Sequence, residues 1–506
     1  MKPRTIVMAV GLSFILTTTL MYGLMLPPTS PPPPSPSPTP LQLTPHAGIT
    51  IDGDANFSAT ALLEGWPGDG SPEDPFIIDG LHIDLSGGNG HGIYINSTRV
   101  SFIIRHCNLT GASLFGDWQM WAPIGAGILL ENVTNGVLLE NIVNNNTGNG
   151  IRLYESDSNT VANNTCTSNG EGIALVNSHL NTVVNNTCSN NAWGIELYES
   201  DSNTVANNTC INNDNSGIKI GISNHNTMAN NTCNSNEVGI SLDMSQFNTI
   251  TDNTCTKNNN TGSVFFAGGI FIGGSHNTLA NNNCSRNYWS GITLEGSHNI
   301  LINNTCSNNY RLGINLIAST SNTVANNTCT SNDIGIYLES IVGIDWDSGV
   351  TSWSNSDSNT VENNICNSNE VGIHLEGSSY NIVTNNTCNS NDIGILLESI
   401  LYISRDRSVT SWGHSDSNTV VNNICNYNRI GIYLNASKSN TVVNNTCLGN
   451  TEHDIVDESL LEELAHREYV AKQFVWFIAG FGMILVASVA MFAKLRRMEI
   501  HENEGG

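Results

Sequence analysis

A unit of 22 or 23 residues recurs along most of this chain, and it constrains the fold more than any other feature of the sequence. Copies that begin at Gly194 and Gly313 share the pattern G-I-x-L-x-x-S-x-x-N-T-V-x-N-N-T-C-x-x-N. The opening Gly-Ile pairs begin at Gly92, Gly127, Gly150, Gly172, Gly194, Gly217, Gly239, Gly269, Gly291, Gly313, Gly335, Gly372, Gly394 and Gly431. These positions predict about fourteen turns of one repeating structure.

Each unit contains three short segments, I-x-L, T-V and T-C, separated by Gly, Ser or Asn turn residues. No segment is long enough for a helix, and one unit cannot bury its own apolar face. Stacking units about 4.8 Å apart buries these faces against one another. The repeat therefore predicts an all-β fold, a single-stranded parallel β-helix, with Ile195 and Leu197 pointing inward and Glu196 outward.

The Asn-Asn pair of the unit predicts a turn and a ladder. Asn tolerates left-handed backbone geometry, so the pair suits a tight turn. Amides in successive turns of the β-helix can hydrogen-bond to one another along the axis. We expect the first Asn of each pair to belong to this ladder, which would protect most of the N-x-T sequons from glycosylation. The predicted glycosylation sites are therefore the sequons outside the ladder, at Asn56, Asn132 and Asn435.

All thirteen cysteines lie within the predicted β-helix, and twelve recur once per unit. The recurring positions are Cys166, Cys188, Cys210, Cys233, Cys255, Cys284, Cys306, Cys329, Cys366, Cys388, Cys425 and Cys447. We expect them to fill one inward position of each turn as small apolar residues with free thiols. Disulfides between adjacent turns and a metal-binding thread remain alternatives.

Apolar runs near both ends of the chain predict attachment to a membrane. The predicted segments are a signal peptide or signal anchor (1–26), a Pro/Ser/Thr-rich stalk (27–45), the β-helix ectodomain (46–455), a juxtamembrane helix (456–473), a transmembrane helix (474–493) and a cytoplasmic tail (494–506). Lys494, Arg496 and Arg497 follow the second apolar run directly. Because positive residues mark the cytoplasmic side, the β-helix is expected outside the cell.

The charge of the chain argues against nucleic acid as a partner. Only 12% of the residues are charged, and 18 Lys and Arg face 44 Asp and Glu, for a formal net charge of −26. A phosphate-binding surface needs clustered cations, which this sequence lacks.

The G-I-x-L and N-N-T-C pattern resembles the NosD-type or CASH-type family of right-handed β-helix proteins over roughly residues 46–451. The segments 64–70 and 75–80 resemble the start of large archaeal envelope proteins of this type. The family includes carbohydrate-binding proteins and sugar hydrolases, so the resemblance implies the fold more firmly than an activity.

Two insertions late in the repeat, 340–355 and 399–414, place aromatic residues beside acidic ones, and each contains V-T-S-W. Aromatic rings beside carboxylates suit stacking on sugars with hydrogen bonds to hydroxyls. The predicted carbohydrate-binding residues of these insertions and of an earlier loop are Asp345, Trp346, Asp347, Trp353, Tyr402, Asp406, Trp412, Trp118 and Trp121. The alternative is that these rings only cover the flank of the β-helix.

Metal sites receive weaker support from the sequence. His276 and His298 occupy the same place in neighbouring units, and the resemblance to NosD-type proteins implies an association with copper, but two ligands do not make a specific site. An acidic column comprises Asp243, Glu295, Glu339, Glu376 and Glu398. Calcium along this column and a solvated acidic edge are both open, and no cofactor is assigned.

The sequence thus predicts a membrane-anchored protein that recognises a cell-surface or environmental glycan without catalysis. No catalytic residue is assigned, because the D-P-H-E motif of alginate epimerases and the converging set of polygalacturonases are absent. Arg152 and Lys219 point outward in the predicted fold, with no obvious acidic cluster around them. A polysaccharide lyase or glycoside hydrolase is the alternative, and a NosD-like periplasmic copper-associated protein is a further one.

Overall fold

Residues 43–459 wind into a right-handed parallel β-helix in the computed structural model, which describes this range except residues 87, 114–124, 260–267, 345–350 and 404–409. The chain makes about fifteen turns, here called coils. One helix, α1 (Asp54–Glu64), lies at the start of the β-helix.

The strands are short, because each coil turns sharply between them. In chain order they are β1 (Thr44–Pro45), β2 (Ile49–Asp52), β3 (Phe76–Asp79), β4 (Leu81–Asp84), β5 (Ile93–Asn96), β6 (Phe102–Arg105), β7 (Asn108–Thr110), β8 (Ala126–Glu131), β9 (Gly136–Leu139), β10 (Ile142–Asn144), β11 (Asn149–Tyr154), β12 (Thr160–Ala162), β13 (Thr165–Thr167), β14 (Glu171–Val176), β15 (Thr182–Val184), β16 (Thr187–Ser189), β17 (Trp193–Tyr198), β18 (Thr204–Ala206), β19 (Thr209–Ile211), β20 (Ser216–Gly221), β21 (Thr227–Ala229), β22 (Thr232–Asn234), β23 (Val238–Asp243), β24 (Thr249–Thr251), β25 (Thr254–Thr256), β26 (Ile270–Gly273), β27 (Thr278–Ala280), β28 (Ser290–Glu295), β29 (Ile300–Ile302), β30 (Leu312–Ile317), β31 (Thr323–Ala325), β32 (Ile334–Glu339), β33 (Ile341–Ile344), β34 (Thr351–Ser354), β35 (Thr360–Glu362), β36 (Val371–Glu376), β37 (Ile382–Thr384), β38 (Ile393–Glu398), β39 (Ile400–Ile403), β40 (Thr410–Gly413), β41 (Thr419–Val421), β42 (Ile430–Asn435), β43 (Thr441–Val443) and β44 (His453–Glu458).

Three parallel sheets form the walls of the β-helix. The first sheet has sixteen strands, in the order β2-β5-β8-β11-β14-β17-β20-β23-β26-β28-β30-β32-β36-β38-β42-β44. The second has fifteen, β3-β6-β9-β12-β15-β18-β21-β24-β27-β29-β31-β35-β37-β41-β43, and the third has nine, β1-β4-β7-β10-β13-β16-β19-β22-β25. Beyond β25 the third wall continues as single bridges, beginning with Thr254 to Asn283.

The predicted number of coils was slightly low because both outermost strands of the first sheet were left out. The fourteen Gly-Ile pairs from Gly92 to Gly431 account for fourteen of its strands. The first strand, β2, is opened by a further pair, Gly48-Ile49, and the last strand, β44, lacks the pair. The position that opens each unit requires glycine, because the backbone of the next coil lies too close for a side chain. A Cβ on Gly194 would overlap the carbonyl oxygen of Gly217 in the next coil.

The interior consists of continuous columns of equivalent side chains, as predicted. Ile195, Leu197, Val205 and Cys210 are fully buried in a single coil, and the same positions are buried in neighbouring coils. The strand register places each Ile over an Ile of the next coil, as with Ile195 and Ile218. Burying an Ile side chain contributes about 1.5–3 kcal/mol, so these columns supply most of the stabilisation.

The cysteine column is confirmed as part of the core. All thirteen cysteines are buried and unbonded. Cys188 and Cys210 are directly opposed across adjacent strands of the third sheet. The disulfide alternative is therefore not the arrangement in this structure.

Three buried ladders of Asn side chains run along the corners of the β-helix, and a fourth ladder is made of Ser. The Asn ladder within the N-N pair uses the second Asn: Asn186 donates from its backbone N–H and its amide to Oδ1 of Asn208, at 2.9 and 3.0 Å. The first Asn of the pair, such as Asn185 or Asn207, has a positive φ and is exposed. The prediction that the first Asn forms the ladder was wrong, because only the left-handed residue can turn its side chain outward.

The β-helix extends slightly beyond its predicted limits at both ends. Thr44 and Pro45, predicted in the stalk, form β1 and pair with β4. Asp457 and Glu458, predicted at the start of the juxtamembrane helix, belong to β44 and pair with β42. The rest of the predicted juxtamembrane helix, 460–473, lies outside the described residues.

Helix α1 covers the open end of the first coil, and it was not predicted from the sequence. Phe57 of α1 is fully buried and stacks on Phe76, with ring centroids 5.2 Å apart. Asp54 accepts hydrogen bonds from the Thr98 hydroxyl and the backbone N–H of Arg99. The helix thereby covers apolar side chains that have no coil above them.

The predicted segments 1–26, 474–493 and 494–506 lie outside the described residues. Within the part of the chain that is described, no helix has the length and apolarity needed to cross a bilayer.

Candidate functional site

The outward face of the first sheet is the part of the β-helix where residue types vary most from coil to coil. Strands of this sheet alternate inward Ile and Leu with outward residues, which are free to differ because they do not pack in the core. A cleft of about 440 Å³ opens on this face. Its lining residues are Trp289, Arg311, Leu312, Asn315, Asp333, Ile334, Tyr337, Glu339, Glu370, Val371 and His374.

Two columns of the β-helix supply most of the cleft's polar groups. Asn315, Tyr337 and His374 occupy the x position of G-I-x-L in β30, β32 and β36, and the strand register aligns them. The second column lies in the turn that precedes each strand, and its members are Trp289, Arg311, Asp333 and Glu370. Stacking therefore assembles residues that lie up to 85 positions apart in the chain, from 289 to 374.

Aromatic rings and a cation form one wall of the cleft. The guanidinium of Arg311 lies over the ring of Trp289, with its carbon 4.3 Å from the ring centroid. Tyr337 and His374 stack with centroids 5.0 Å apart. Tyr337 donates its hydroxyl hydrogen to Glu376, and burial, with that carboxylate, raises the pKa of Tyr337. The rings are thus held in fixed positions before any ligand arrives.

Several buried polar atoms of the cleft have no hydrogen-bond partner among the described residues. These atoms are both amide atoms of Asn315, the indole Nε1 of Trp289 and Nδ1 of His374. The side chain of Asn315 is fully buried. Because a buried polar group without a partner costs about 1–3 kcal/mol, the cleft has donors and acceptors available for a ligand.

The cleft is acidic. Asp333, Glu339 and Glu370 line it, and burial, reinforced by the charge of Glu376, raises the pKa of Glu339. The amide of Asn315 favours the charged form of Glu339 without reaching hydrogen-bond geometry to that carboxylate. Glu398 behaves differently: His374, whose Nε2 lies 3.4 Å from Glu398 Oε2, lowers the pKa of that carboxyl.

A second cluster lies on the same face, nearer the start of the chain. Glu171 accepts a hydrogen bond from the Asn149 amide, and Glu196 forms an ion pair with Lys219 at 3.1 Å. Lys219 also lies 5.4 Å from the ring centroid of Trp193. Burial and the neighbouring charge of Glu196 raise the pKa of Glu171 to about 8.

This cluster corrects a prediction made from the sequence. Arg152 and Lys219 were expected to lack acidic neighbours, whereas Glu171 and Glu196 lie between them on the same face. The spacing of the repeat contained this information, because Glu196 and Lys219 share the x position of consecutive units.

Both predicted aromatic insertions form β-hairpins. Strands β33 and β34 pair in antiparallel fashion, with Trp353 opposite Val342, and β39 and β40 do so with Trp412 opposite Leu401 and Tyr402 opposite Ser411. The hairpins follow β32 and β38, two strands apart in the first sheet, as predicted. The predicted binding residues Asp345, Trp346, Asp347, Asp406, Trp118 and Trp121 lie outside the described residues.

The first hairpin begins beside the cleft, since β32, which precedes it, contributes Tyr337 and Glu339 to the lining. Sequence reasoning found the two insertions but predicted neither their hairpin structure nor the cleft. The missing signal was the variation at two positions of each unit, the x of G-I-x-L and the residue two places before the Gly.

The predicted metal ligands do not converge. The rings of His276 and His298 are stacked, 5.0 Å apart and 3° from parallel, so one ion cannot lie in the plane of both rings. Glu339, Glu376 and Glu398 are aligned in adjacent strands, and Tyr337, Asn435 and His374 interact with them. Among the described residues, no group of three His, Cys, Asp or Glu is placed to hold a metal ion.

The three predicted glycosylation sites lie at the surface or near it. Asn56 is exposed on α1, and its Oδ1 accepts a hydrogen bond from the backbone N–H of Asp52. Asn132 is exposed in a left-handed turn. Asn435 is partly buried, and its amide donates to Glu398 at 2.8 Å.

The stacked parallel coils define a right-handed β-helix protein with a polar cleft on one face. The family model described as periplasmic copper-binding protein (NosD) matches residues 77–269 and 341–460, which is more than half of the chain. The chain belongs to the NosD family. A second model, described as right handed beta helix region, matches residues 255–397. The resemblance seen in the sequence is confirmed.

Copper, which the family's description names, finds no set of converging ligands in the described part of this chain. A comparison with curated proteins found no match.

Solved structures with similar folds include three whose names refer to an epimerase, a lyase and a DFA-IIIase. The A-module of a mannuronan C-5 epimerase from Azotobacter vinelandii aligns with 81% of this chain and 94% of its own, at 12% identity and a TM-score of 0.35. An alginate lyase in complex with a trisaccharide aligns with 73% and 91%, at 15% identity and a TM-score of 0.41. A DFA-IIIase from Arthrobacter chlorophenolicus aligns with 62% and 91%, at 13% identity and a TM-score of 0.40. Such low scores carry no information on what this chain binds.

Proposed function

We propose that this protein is a membrane-anchored carbohydrate-binding protein whose β-helix lies outside the cell and holds a glycan in the cleft of the first sheet. One observation carries the proposal. A cleft of about 440 Å³ brings rings of Trp289, Tyr337 and His374 together with the buried, unpartnered amide of Asn315. Sugars present apolar ring faces and hydroxyl edges, and these two surfaces match stacked aromatic rings and unpaired amide groups.

The shape of the first sheet suits a chain-like ligand. Sixteen parallel strands at a spacing of about 4.8 Å make a face about 70 Å long. Trp193, in the second cluster, lies on this face five strands before β30, which is about 24 Å by the same spacing. A polysaccharide can therefore contact both clusters at once, whereas a monosaccharide can occupy only one.

A glycan array with the full-length protein in mild detergent tests the proposal, followed by calorimetry on the glycans that bind. Changing Trp289 and Tyr337 together to Ala should weaken binding by about ten-fold or more, since each ring contributes on the order of 1 kcal/mol. The matched control changes Tyr288 and Tyr310 to Ala. These exposed tyrosines stack on each other in the same coils but do not line the cleft.

The cleft is supported as the glycan-binding site if the control variant keeps its affinity while the Trp289 and Tyr337 variant loses affinity. Equal losses in both variants, or an array without any bound glycan, would refute the proposed function. The pair Trp353→Ala and Trp412→Ala forms a third arm, which reports whether the hairpins extend the binding surface.

The membrane anchor is tested separately from the ligand. Intact cells treated with protease should lose the β-helix and keep a short fragment containing 474–506. A β-helix protected from protease until the membrane is broken would contradict the proposed orientation.

A polysaccharide lyase or glycoside hydrolase is a second candidate, and it rests on the other cluster. Glu171, with its pKa near 8, would carry a proton at neutral pH, while Glu196 pairs with Lys219. General acid–base cleavage of a glycosidic bond uses one protonated and one ionised carboxyl group, and this cluster supplies one of each.

Incubation with a panel of uronic-acid and neutral polysaccharides tests this candidate through released reducing ends and unsaturated products. Activity that disappears in Glu171→Gln and Glu196→Gln, and survives in Glu199→Gln, would support it. Inactivity of the unmodified protein across the panel would leave binding as the function.

A further inference from the structure

We propose that the cleft selects glycans that carry protonated amino groups over glycans that carry carboxylates. This inference rests on the proposed function and specifies its ligand. Three features of the cleft support this selectivity: the charge of its lining, the position of Arg311 and the pKa of Glu339.

The first feature is the negative charge of the residues that line the cleft. Three carboxylates, those of Asp333, Glu339 and Glu370, line the cleft, and Arg311 is the one Lys or Arg side chain among its described lining residues. Glu376 and Glu398 stand beside Glu339 in the next two strands and add to the negative potential. A uronic-acid polymer would bring further negative charge to this surface, which costs free energy, whereas an amine would neutralise it.

The second feature is the position of the only Lys or Arg side chain in the described lining, Arg311. Arg311 stacks on Trp289 at 4.3 Å, so its guanidinium is held against the ring and serves as part of the cleft's wall. The turn carboxylates Asp333 and Glu370 follow it in the next two coils, where their side chains are exposed to an incoming ligand. An ammonium group can contact these carboxylates without displacing Arg311 from Trp289.

The third feature is the raised pKa of Glu339. Burial raises the pKa of Glu339, and so does the nearby carboxylate of Glu376. An ammonium group placed beside this pair reduces their mutual repulsion and favours the ionised form of Glu339. A bound amine should therefore lower the pKa of Glu339, and a bound carboxylate should raise it further.

The uncharged part of recognition is separate from this selectivity. Asn315 presents both an unpartnered donor and an unpartnered acceptor in the fully buried position behind the acidic rim. These atoms pair with sugar hydroxyl or acetamido groups of any glycan that enters. Affinity for neutral sugars is therefore retained, and charge sets the order among ligands.

Three oligosaccharide hexamers of equal length test the inference with the full-length protein: glucosamine, N-acetylglucosamine and a uronic acid. Calorimetry at low salt should give the order glucosamine, then N-acetylglucosamine, then uronate, with roughly a five- to ten-fold step between the first two. The step should shrink as salt rises from about 0.05 to 0.5 M.

Site-specific attraction is separated from the protein's overall negative charge by two matched variants. Asp333→Asn with Glu370→Gln should remove the preference for the amine and leave binding of N-acetylglucosamine within about two-fold. Asp252→Asn with Glu362→Gln removes the same charge from the second-sheet side of the β-helix and should leave the preference intact.

The charge selectivity and the proposed glycan binding would be contradicted by different results. Tightest binding of the uronate, equal binding of all three hexamers, or equal effects of the two variant pairs would overturn the charge selectivity while leaving glycan binding established. Failure to bind any hexamer, with none bound on the array, would remove the proposed function itself.

Discussion

Asn186 and Asn208 lie in consecutive coils, and Asn186 donates to the same oxygen of Asn208 twice, from its backbone N–H at 2.9 Å and from its amide at 3.0 Å. The amide of Asn186 also donates to the carbonyl oxygen of Val161 in the preceding coil, at 2.9 Å. One side chain thus links three coils, and the pattern repeats along the β-helix. This geometry makes the Asn ladder a main determinant of stability at the corners.

Replacing Asn208 with Ala should destabilise the protein by about 2–4 kcal/mol, since it leaves the backbone N–H of Asn186 and the carbonyl of Val183 buried without partners. Denaturant unfolding measured by circular dichroism checks this. The matched control is Asn207→Asp at the adjacent exposed position, where Asp252 occupies the equivalent left-handed turn in another coil. Its cost should stay below about 0.5 kcal/mol, and equal costs at the two positions would contradict the ladder.

The thirteen thiols should resist alkylation in the native protein. All thirteen are buried, so iodoacetamide cannot reach them in the folded protein. Burial also raises the pKa of the Cys329 thiol, with Cys306 acting in the same direction. Mass spectrometry after iodoacetamide treatment should show no more than slow labelling of Cys447 in the last coil. Denaturation should then expose thirteen reactive thiols, and a smaller number would reveal disulfides.

Glycosylation should follow the exposed Asn of each N-N-T sequence. Asn163, Asn185 and Asn207 have positive φ values and exposed side chains, so attached glycans would project from the β-helix without disturbing the core. In a host that performs N-glycosylation, peptide mapping should find occupancy at these positions, each of which begins an N-x-T sequence. Glycans at Asn56 and Asn132 with none at Asn163, Asn185 and Asn207 would contradict the outward position of the first Asn.

Stability should fall as pH rises through the range set by Glu171. Its pKa is raised from 4.5 to about 8 in the folded protein, so the protonated side chain is favoured by folding. The stabilising contribution is complete below about pH 4.5 and is lost as pH rises through about 8. Unfolding midpoints at pH 5 and 9 should differ for the unmodified protein and differ less for Glu171→Gln. An unchanged difference in that variant would mean that titratable groups other than Glu171 determine how stability depends on pH.

The sequence alone was sufficient for the architecture of the coils, and the reason is local. A strand has a side-chain period of two, so Ile195 and Leu197 must share one face and Glu196 the other. Repetition every 22 or 23 residues then places each inward residue over its equivalent, as in the register of Ile195 and Ile218. The insertions that contain Ile341–Ser354 and Ile400–Gly413 were also predictable, because both interrupt the period, whereas their antiparallel pairing was seen only in the structure.

The sequence was not sufficient where two identical residues play different roles. Asn207 and Asn208 are the same amino acid in adjacent positions, and only the backbone conformation decides that Asn207 faces solvent while Asn208 is buried. The outermost strands were also missed. The strand β44 pairs through its backbone without a Gly-Ile pair, and the Gly48-Ile49 pair of β2 stands in a coil without the N-N-T-C segment.

By itself, the sequence determined that this protein is a stack of parallel coils with continuous Ile, Leu, Val and Cys columns, because the apolar period permits no other burial. Only the tertiary structure decided which outward residues meet. Trp289, Asn315 and His374 come from three separate units, and the last is displaced in the chain by the hairpin insertion. Stacking of β28, β30, β32 and β36 brings them together, since strand pairing ignores the length of the loop between two coils.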